Sequence, residues 1–324
     1  MTRIKSLIIF YVCLFAGMLF SADTAVLRFA PNDTIAVMET DLAGLMSVPE
    51  IAKLLNDESL VPASGLKSQT GIKPEDFKKL FIFVNPSGNT SVLLQFNPAI
   101  DLEKTLNQKN VKYSKAAVSG KVLLTISDQS GINKEIGVLQ LAPGIMLAGS
   151  LADVNRYLTL SVGNLPQMTK AVAQLPADKK LIWLVYVNES GNAPENIPVQ
   201  DVKQLYFTFG FSGKEKRQLK FELTLDTANK DSARMIAGLI PLYVPMGLGF
   251  VLGDAPELNA EVCKAVACRI EDNNRVVASL KISWELAQKV GKHLEKNFGG
   301  MAAGAIAEQM SGPAEKTPAP AKSK

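Results

Sequence analysis

Alternation of apolar and polar residues with a period of two runs through much of the chain and predicts strands. It is clearest at 219–225, where Leu and Phe occupy the odd positions and Lys, Glu and Thr the even ones. Such a segment is typical of a sheet with one face in water. The continuous apolar run 181–187 instead predicts a strand that is buried on both faces.

Helical spacing of apolar residues appears between these strands. It predicts helices at 42–55, 101–108 and 151–158, from 230 onward, and after 283. Ser150 and Ser283 stand where N-caps of two of these helices are expected. The pattern therefore predicts an α+β fold whose sheets are mainly antiparallel, with helices packed on one face.

Two short strings indicate an internal repeat. "DFKKLFIFVN" from Asp76 is echoed by "DVKQLYFTFG" from Asp201, and a Pro-x-Asp turn precedes a strand at both 31–33 and 176–178. We predict two related α+β modules, 23–180 and 181–300. A tail of Ala, Gly, Pro, Glu and Lys at 301–324 is predicted to be disordered.

The first 22 residues have the pattern of a secretion signal. Arg3 and Lys5 precede an uncharged run with its apolar core at 7–20, which is short for a membrane span. Cleavage after Ala22 would place the bulky Phe20 at the −3 position, so an uncleaved anchor formed by residues 6–22 stays as the alternative. Either alternative predicts an exported protein, periplasmic or extracellular, with membrane association through the N-terminal segment if it is retained.

The net charge of the chain argues against one class of partner, nucleic acids. The 324-residue chain has a formal net charge of +4, and the body between the leader and the tail is near +1. That balance lacks the basic excess of a nucleic-acid binder, so we expect no nucleic-acid partner.

Candidate chemistry is sparse, and we predict no catalytic residue, no metal site and no cofactor. His293 is the single histidine, and a cation near a helix C-terminus explains it. Glu39 and Asp41 lie two apart at a strand end and could do acid–base work, although a solvated strand end explains them equally. Gly247, Gly249 and Gly253 miss the dinucleotide-binding fingerprint by one residue and lack its strand–helix setting.

Cys263 and Cys268 are the two cysteines beyond the leader, which leaves two alternatives. An even count in an exported protein suggests a disulfide, which would close a six-residue loop between a helix end and a strand. The other alternative is a pair of buried free thiols.

The segment 235–253 has nineteen residues without a charge. Two prolines and four glycines make it a poor regular helix, so we predict ordinary core, with an apolar ligand site or membrane contact as the alternative. A membrane span is the least favoured, because strands flank the segment on both sides. The apolar residues that would form the contact are Met235, Ile236, Leu239, Ile240, Leu242, Tyr243, Val244, Met246, Leu248, Phe250, Val251 and Leu252.

One part of the chain resembles a known group. The strings "NPAIDLEKTLNQKNVKY", "GKVLLTI" and "PGIMLAGSLADVNRYL", with Tyr113, Gly120, Val122 and the pair Gly149-Ser150, resemble a loose group of exported bacterial proteins of unknown function. The resemblance implies export and strand–hairpin–helix modules, and it implies no activity.

These observations favour a non-enzymatic cell-envelope protein with a binding or structural role, whose partner is an unidentified protein or lipid of the envelope. The first alternative is a carrier or sensor of an apolar ligand or lipid that uses 235–253. The second is a carboxylate-based hydrolase.

Overall fold

A computed structural model describes residues 24–49, 52, 74–97, 101–108, 110–126, 135–175, 181–188, 201–212 and 218–293. The predicted leader, the predicted tail and the 176–178 turn lie outside these residues.

Twelve strands make up the described sheet. They are β1 (Ala36–Asp41), β2 (Phe77–Val84), β3 (Thr90–Phe96), β4 (Tyr113–Val118), β5 (Lys121–Ile126), β6 (Ile136–Ala142), β7 (Ile145–Ser150), β8 (Ile182–Val187), β9 (Val202–Ser212), β10 (Gln218–Thr227), β11 (Val266–Glu271) and β12 (Arg275–Ser283).

The strands form one continuous antiparallel sheet in the order β11-β12-β10-β9-β8-β1-β2-β3-β7-β6-β5-β4. Strands of the first predicted module occupy one side of this order and strands of the second occupy the other. The two sides join where β1 pairs with β8, with Val37 opposite Val185 and Glu39 opposite Trp183.

The two sides share one plan. β1, β2 and β3 form a meander that is followed by β7 and β6, and β8, β9 and β10 form a meander that is followed by β12 and β11. The repeated strings fall on β2 and β9, which hold the same place in the two series. The first half continues beyond β6 with β5 and β4, which have no counterpart among the described strands of the second half.

Helices pack on both faces of the sheet. They are α1 (Leu42–Met46), α2 (Leu102–Gln108), α3 (Leu151–Leu158), α4 (Pro166–Ala173), α5 (Lys230–Leu252), α6 (Pro256–Lys264) and α7 (284–293), with 3-10 turns at Thr24–Phe29 and Pro74–Asp76. The α+β class is as predicted, but the expectation of helices on a single face holds only for α5, α6 and α7 of the second half. In the first half, α1 and α2 lie on one face and α3 and α4 on the other.

The helix starts follow their capping residues. The Ser150 hydroxyl accepts from the backbone N–H of Asp153 at 3.1 Å, and the Ser283 hydroxyl accepts from that of Leu286 at 3.1 Å. These caps fix α3 and α7 directly after β7 and β12, so that each helix turns back onto the sheet.

Candidate functional site

Helix α5 contains the uncharged segment singled out above. Asn229 caps it, because its side-chain oxygen accepts from the backbone N–H groups of Asp231 and Ser232 at 3.0 and 2.9 Å. The helix then runs unbroken through Pro241 and Pro245 to Leu252. The expectation that this segment is a poor regular helix is therefore wrong, and packing against the sheet outweighs its low helix propensity.

Cys268 helps to explain how the helix tolerates its first proline. Pro241 has no N–H, so it cannot donate to the carbonyl of Ala237 four residues earlier. The Cys268 thiol on β11 lies 3.9 Å from that carbonyl oxygen and donates to it weakly. Burial raises the pKa of the Cys268 thiol, which keeps it protonated and able to donate.

Both cysteines are free thiols in the structure, and both are half-buried. The Cys263 thiol donates to the side-chain oxygen of Asn259, one turn earlier in α6, at 3.2 Å. The Cys268 thiol is directed at α5 instead. The two sulfur atoms thus serve different contacts, and a helix end and a strand are held together without a covalent bond.

One side of α5 packs on the protein. Ile236 and Leu252 are buried, while Ile240, Val244 and Leu248 are half-buried. The side chains of Phe250 and Val251 lie outside the described residues. These inward positions confirm that part of the predicted contact list belongs to ordinary core.

The other side of α5 is bare and apolar. Its members have exposed fractions between 36% and 68%, and we call them the α5 apolar face: Met235, Leu239, Leu242, Tyr243 and Met246. Their spacing of four, three, one and three residues places them within about 100° of arc on the helix. From first to last they extend roughly 17 Å along the helix axis.

No element of the described part of the chain covers the α5 apolar face. A Cβ atom added at Gly238 or Gly247, which flank the face, would meet no atom within 4 Å. Ile270 on the edge strand β11 is also exposed, and its neighbour across the strand pair, Val276, packs against the first turns of α5. The apolar surface thus continues from the helix towards the sheet edge.

The end of α5 is held by α6 and α7. Leu248 and Leu252 share a core with Leu258 and Val262 of α6 and with residues of α7. His293 lies at the end of the described helix α7, and its Nε2 is 2.7 Å from Oδ1 of Asp254, in the turn between α5 and α6. The single histidine therefore has a carboxylate partner, which the sequence did not reveal.

Glu39 and Asp41 lie together with Lys79 inside the molecule. All three are at least 94% buried, so the interpretation of a solvated strand end is wrong. Lys79 Nζ is 2.9 Å from Glu39 Oε1, and Lys79 is directly opposite Asp41 in the β1–β2 register. Asp41 Oδ1 accepts from the backbone N–H of Gly44 at 3.0 Å and caps α1. These contacts give the carboxylates structural roles at the centre of the sheet.

Burial raises the pKa of the Asp41 carboxyl, although the Gly44 N–H and Lys79 act in the opposite direction. The folded protein then retains a proton that the unfolded chain releases above the ordinary pKa of 3.8. The stability that the Asp41 carboxyl contributes therefore falls as the pH rises from 3.8 towards the pKa of Asp41 in the folded protein.

Replacing Asp41 with Asn is expected to stabilise the protein at about pH 7 and to change its stability less at about pH 3, because Asn does not ionise and still accepts the Gly44 N–H. Urea unfolding followed by circular dichroism at the two pH values measures the difference. A variant that is less stable than the parent at about pH 7 would contradict the assignment.

Among the described residues, no group of three or more His, Cys, Asp or Glu side chains is arranged to hold a metal ion. Across the same residues, the helices are too short or too polar to count as membrane spans. The α5 apolar face is therefore the candidate functional site among the described residues.

Comparison with known proteins adds little to this description. No family model and no curated protein matches the chain. A similar solved structure is crystal form I of TP0453, at 13% sequence identity and a TM-score of 0.44, over 83% of this chain and 96% of that chain.

Proposed function

We propose that this protein is an exported, non-enzymatic protein of the cell envelope that binds a lipid membrane surface through the α5 apolar face. The observation that carries the proposal is the row of five exposed large apolar side chains on one side of a 23-residue helix. Contiguous apolar patches on a soluble surface mark interaction sites.

The shape of the face favours a membrane over a small soluble ligand. Small-molecule sites are concave and surround most of the ligand. The α5 apolar face is the outer side of a single helix, and within the described ranges no second wall faces it. A convex apolar ridge can lie along a bilayer surface without a complementary cavity. Tyr243, with an apolar ring and a polar hydroxyl, suits the boundary between headgroups and acyl chains.

Helix α5 also differs between the two halves of the fold. The helix after the first meander, α2, has seven residues, and both its apolar anchors, Leu102 and Leu106, are buried. The helix at the same place in the second half has 23 residues and a bare side. The repeated framework thus needs no such helix, which indicates that α5 serves a task of its own.

The expected affinity is modest. Full burial of a side chain of this size is worth about 1.5–3 kcal/mol, and these five are already partly covered, so each adds about 1 kcal/mol. The total of about 5 kcal/mol is close to that of a single myristoyl chain, which binds membranes reversibly with a constant near 10⁴ M⁻¹.

Replacing Leu242 and Met246 together with Glu is expected to reduce vesicle binding at least tenfold, because two of the most exposed apolar contacts become charges that resist burial. Co-sedimentation of the folded protein with phosphatidylcholine vesicles measures the bound fraction. The double variant should keep the circular dichroism spectrum of the parent, since both side chains point away from the core.

Val162→Glu is the matched control. Val162 is another exposed apolar residue, on the loop before α4 and away from α5, and its replacement should leave vesicle binding unchanged. Analytical ultracentrifugation tests the competing occupant. If the parent instead forms a dimer that Leu242→Glu with Met246→Glu abolishes, and it does not bind vesicles, the face joins two copies and the proposal is wrong.

A further inference from the structure

Charges around the α5 apolar face are balanced rather than basic. At the start of the helix, Arg234 is 3.8 Å from Asp231. Lys230, the first residue of the helix, is also exposed. Two basic side chains and one carboxylate therefore lie at this end of the face, and the acidic residues at its far end offset them.

The far end of the face carries an acidic balance. Asp254 lies two residues after the end of α5, and α6 exposes Glu257 and Glu261 with Lys264 as its single basic residue. A surface that recognises anionic lipid headgroups concentrates Lys and Arg, each worth about a fivefold gain in binding near a negative membrane. The surroundings of α5 offer no such excess within the described residues.

We infer that the α5 apolar face selects an electrically neutral lipid surface, of the zwitterionic phosphatidylcholine or phosphatidylethanolamine type, and that apolar contact alone drives its binding. The inference rests on the proposed function. It goes further in naming the lipid class and in setting the contribution of surface charge close to zero.

Salt dependence separates the two driving forces. Attraction between exposed charges is screened when salt shortens the Debye length from about 10 Å to about 3 Å, whereas apolar burial is not weakened by salt. The insertion of Leu242, Tyr243 and Met246 should therefore proceed equally at low and high ionic strength.

The test compares vesicles of phosphatidylcholine alone with vesicles that contain about one third phosphatidylglycerol, at about 0.1 M and about 1 M salt. Expected is binding that differs by less than about twofold among the four conditions. Binding that is more than about tenfold tighter to anionic vesicles and is lost at high salt would overturn the inference while leaving membrane binding itself in place. Absence of binding under all four conditions would instead reject the proposed function.

A charge-release variant makes the test sensitive. Asp231→Asn removes the acidic partner of Arg234 without touching the apolar face. This variant should gain a preference for anionic vesicles of about fivefold, which high salt abolishes. If the parent already shows that preference and the variant adds nothing, Arg234 was never neutralised and the inference is wrong.

Discussion

Lys79→Met is expected to lower the free energy of unfolding by about 3–5 kcal/mol, because it leaves the Glu39 carboxylate charged and buried without its ammonium partner. The ion pair is 2.9 Å long and the side chains are 7% and 2% exposed, so water cannot replace the missing charge. Met fills nearly the same volume as Lys, so the change tests the charge and not the packing.

The double variant Glu39→Gln with Lys79→Met is the decisive comparison. Removing both charges eliminates the cost of an isolated buried ion, and the double variant should recover much of the stability that Lys79→Met loses. Urea unfolding at neutral pH measures all three proteins. A loss below about 1 kcal/mol in Lys79→Met would show that Glu39 is neutral or solvated in the folded protein.

Lys78 provides the matched control for that experiment. It is the neighbour of Lys79 on β2, and its side chain points to the opposite side of the strand and is exposed. Lys78→Met should change the free energy of unfolding by no more than about 0.5 kcal/mol. The contrast between adjacent lysines follows from strand geometry alone.

This buried ion pair shows where sequence reasoning succeeds and where it stops. Lys79 shares an alternating series with Phe81 and Phe83, and Glu39 shares one with Val37, so the period of two already placed both charges on an apolar face. Treating the end of β1 as solvated ignored that signal. The pairing itself depends on the register between strands 40 residues apart, which no local pattern encodes.

The reverse holds for β10. The sequence predicts the polar face of β10 correctly, since Lys220 and Glu222 form an ion pair on the face opposite Leu219. The strings at Asp76 and Asp201 likewise fall on strands, β2 and β9, each the second strand of a meander. Alternation within one strand can be predicted from the sequence, whereas the register between distant strands cannot.

The sequence predicts a poor regular helix at 235–253, whereas α5 is unbroken, and the reason for the difference is energetic. Two prolines and several glycines cost a helix several kcal/mol by propensity, and that sum predicts a break. Helix propensity does not include tertiary contacts. In the structure, the packing of Ile236 and Leu252 and the Cys268 thiol at the Ala237 carbonyl stabilise the helix. A helix that is poor by itself is thus held on the sheet with its apolar side outward.

If the proposed membrane contact exists, the fate of residues 6–22 decides whether membrane attachment is stable or reversible. Binding of about 5 kcal/mol is reversible, and stable attachment to a membrane usually requires two signals. If residues 6–22 are retained, they supply the first and the α5 apolar face the second. If they are cleaved, the mature protein should exchange between the membrane surface and solution.

Trp183→Ala is expected to destabilise the protein by about 3–5 kcal/mol, because it removes the largest fully buried side chain and leaves a cavity. Trp183 is 1% exposed and lies on β8, the strand that joins the two halves of the sheet. Its core neighbours come from both halves and include Val37 and Phe81 on one side of the junction and Val185 on the other. The cavity would therefore weaken the contact between the halves as well as each half.

Trp183→Phe separates packing from hydrogen bonding at this site. The indole Nε1 is buried with no hydrogen-bond partner among the described residues, so Phe keeps most of the apolar contact and removes a donor that is costly to leave unsatisfied. We expect Trp183→Phe to cost less than half of the loss in Trp183→Ala. Far-ultraviolet circular dichroism during urea unfolding suits the measurement, because each change also removes one of the two tryptophans that would report by fluorescence. Equal losses in the two variants would mean that the indole nitrogen makes a bond that the folded protein depends on.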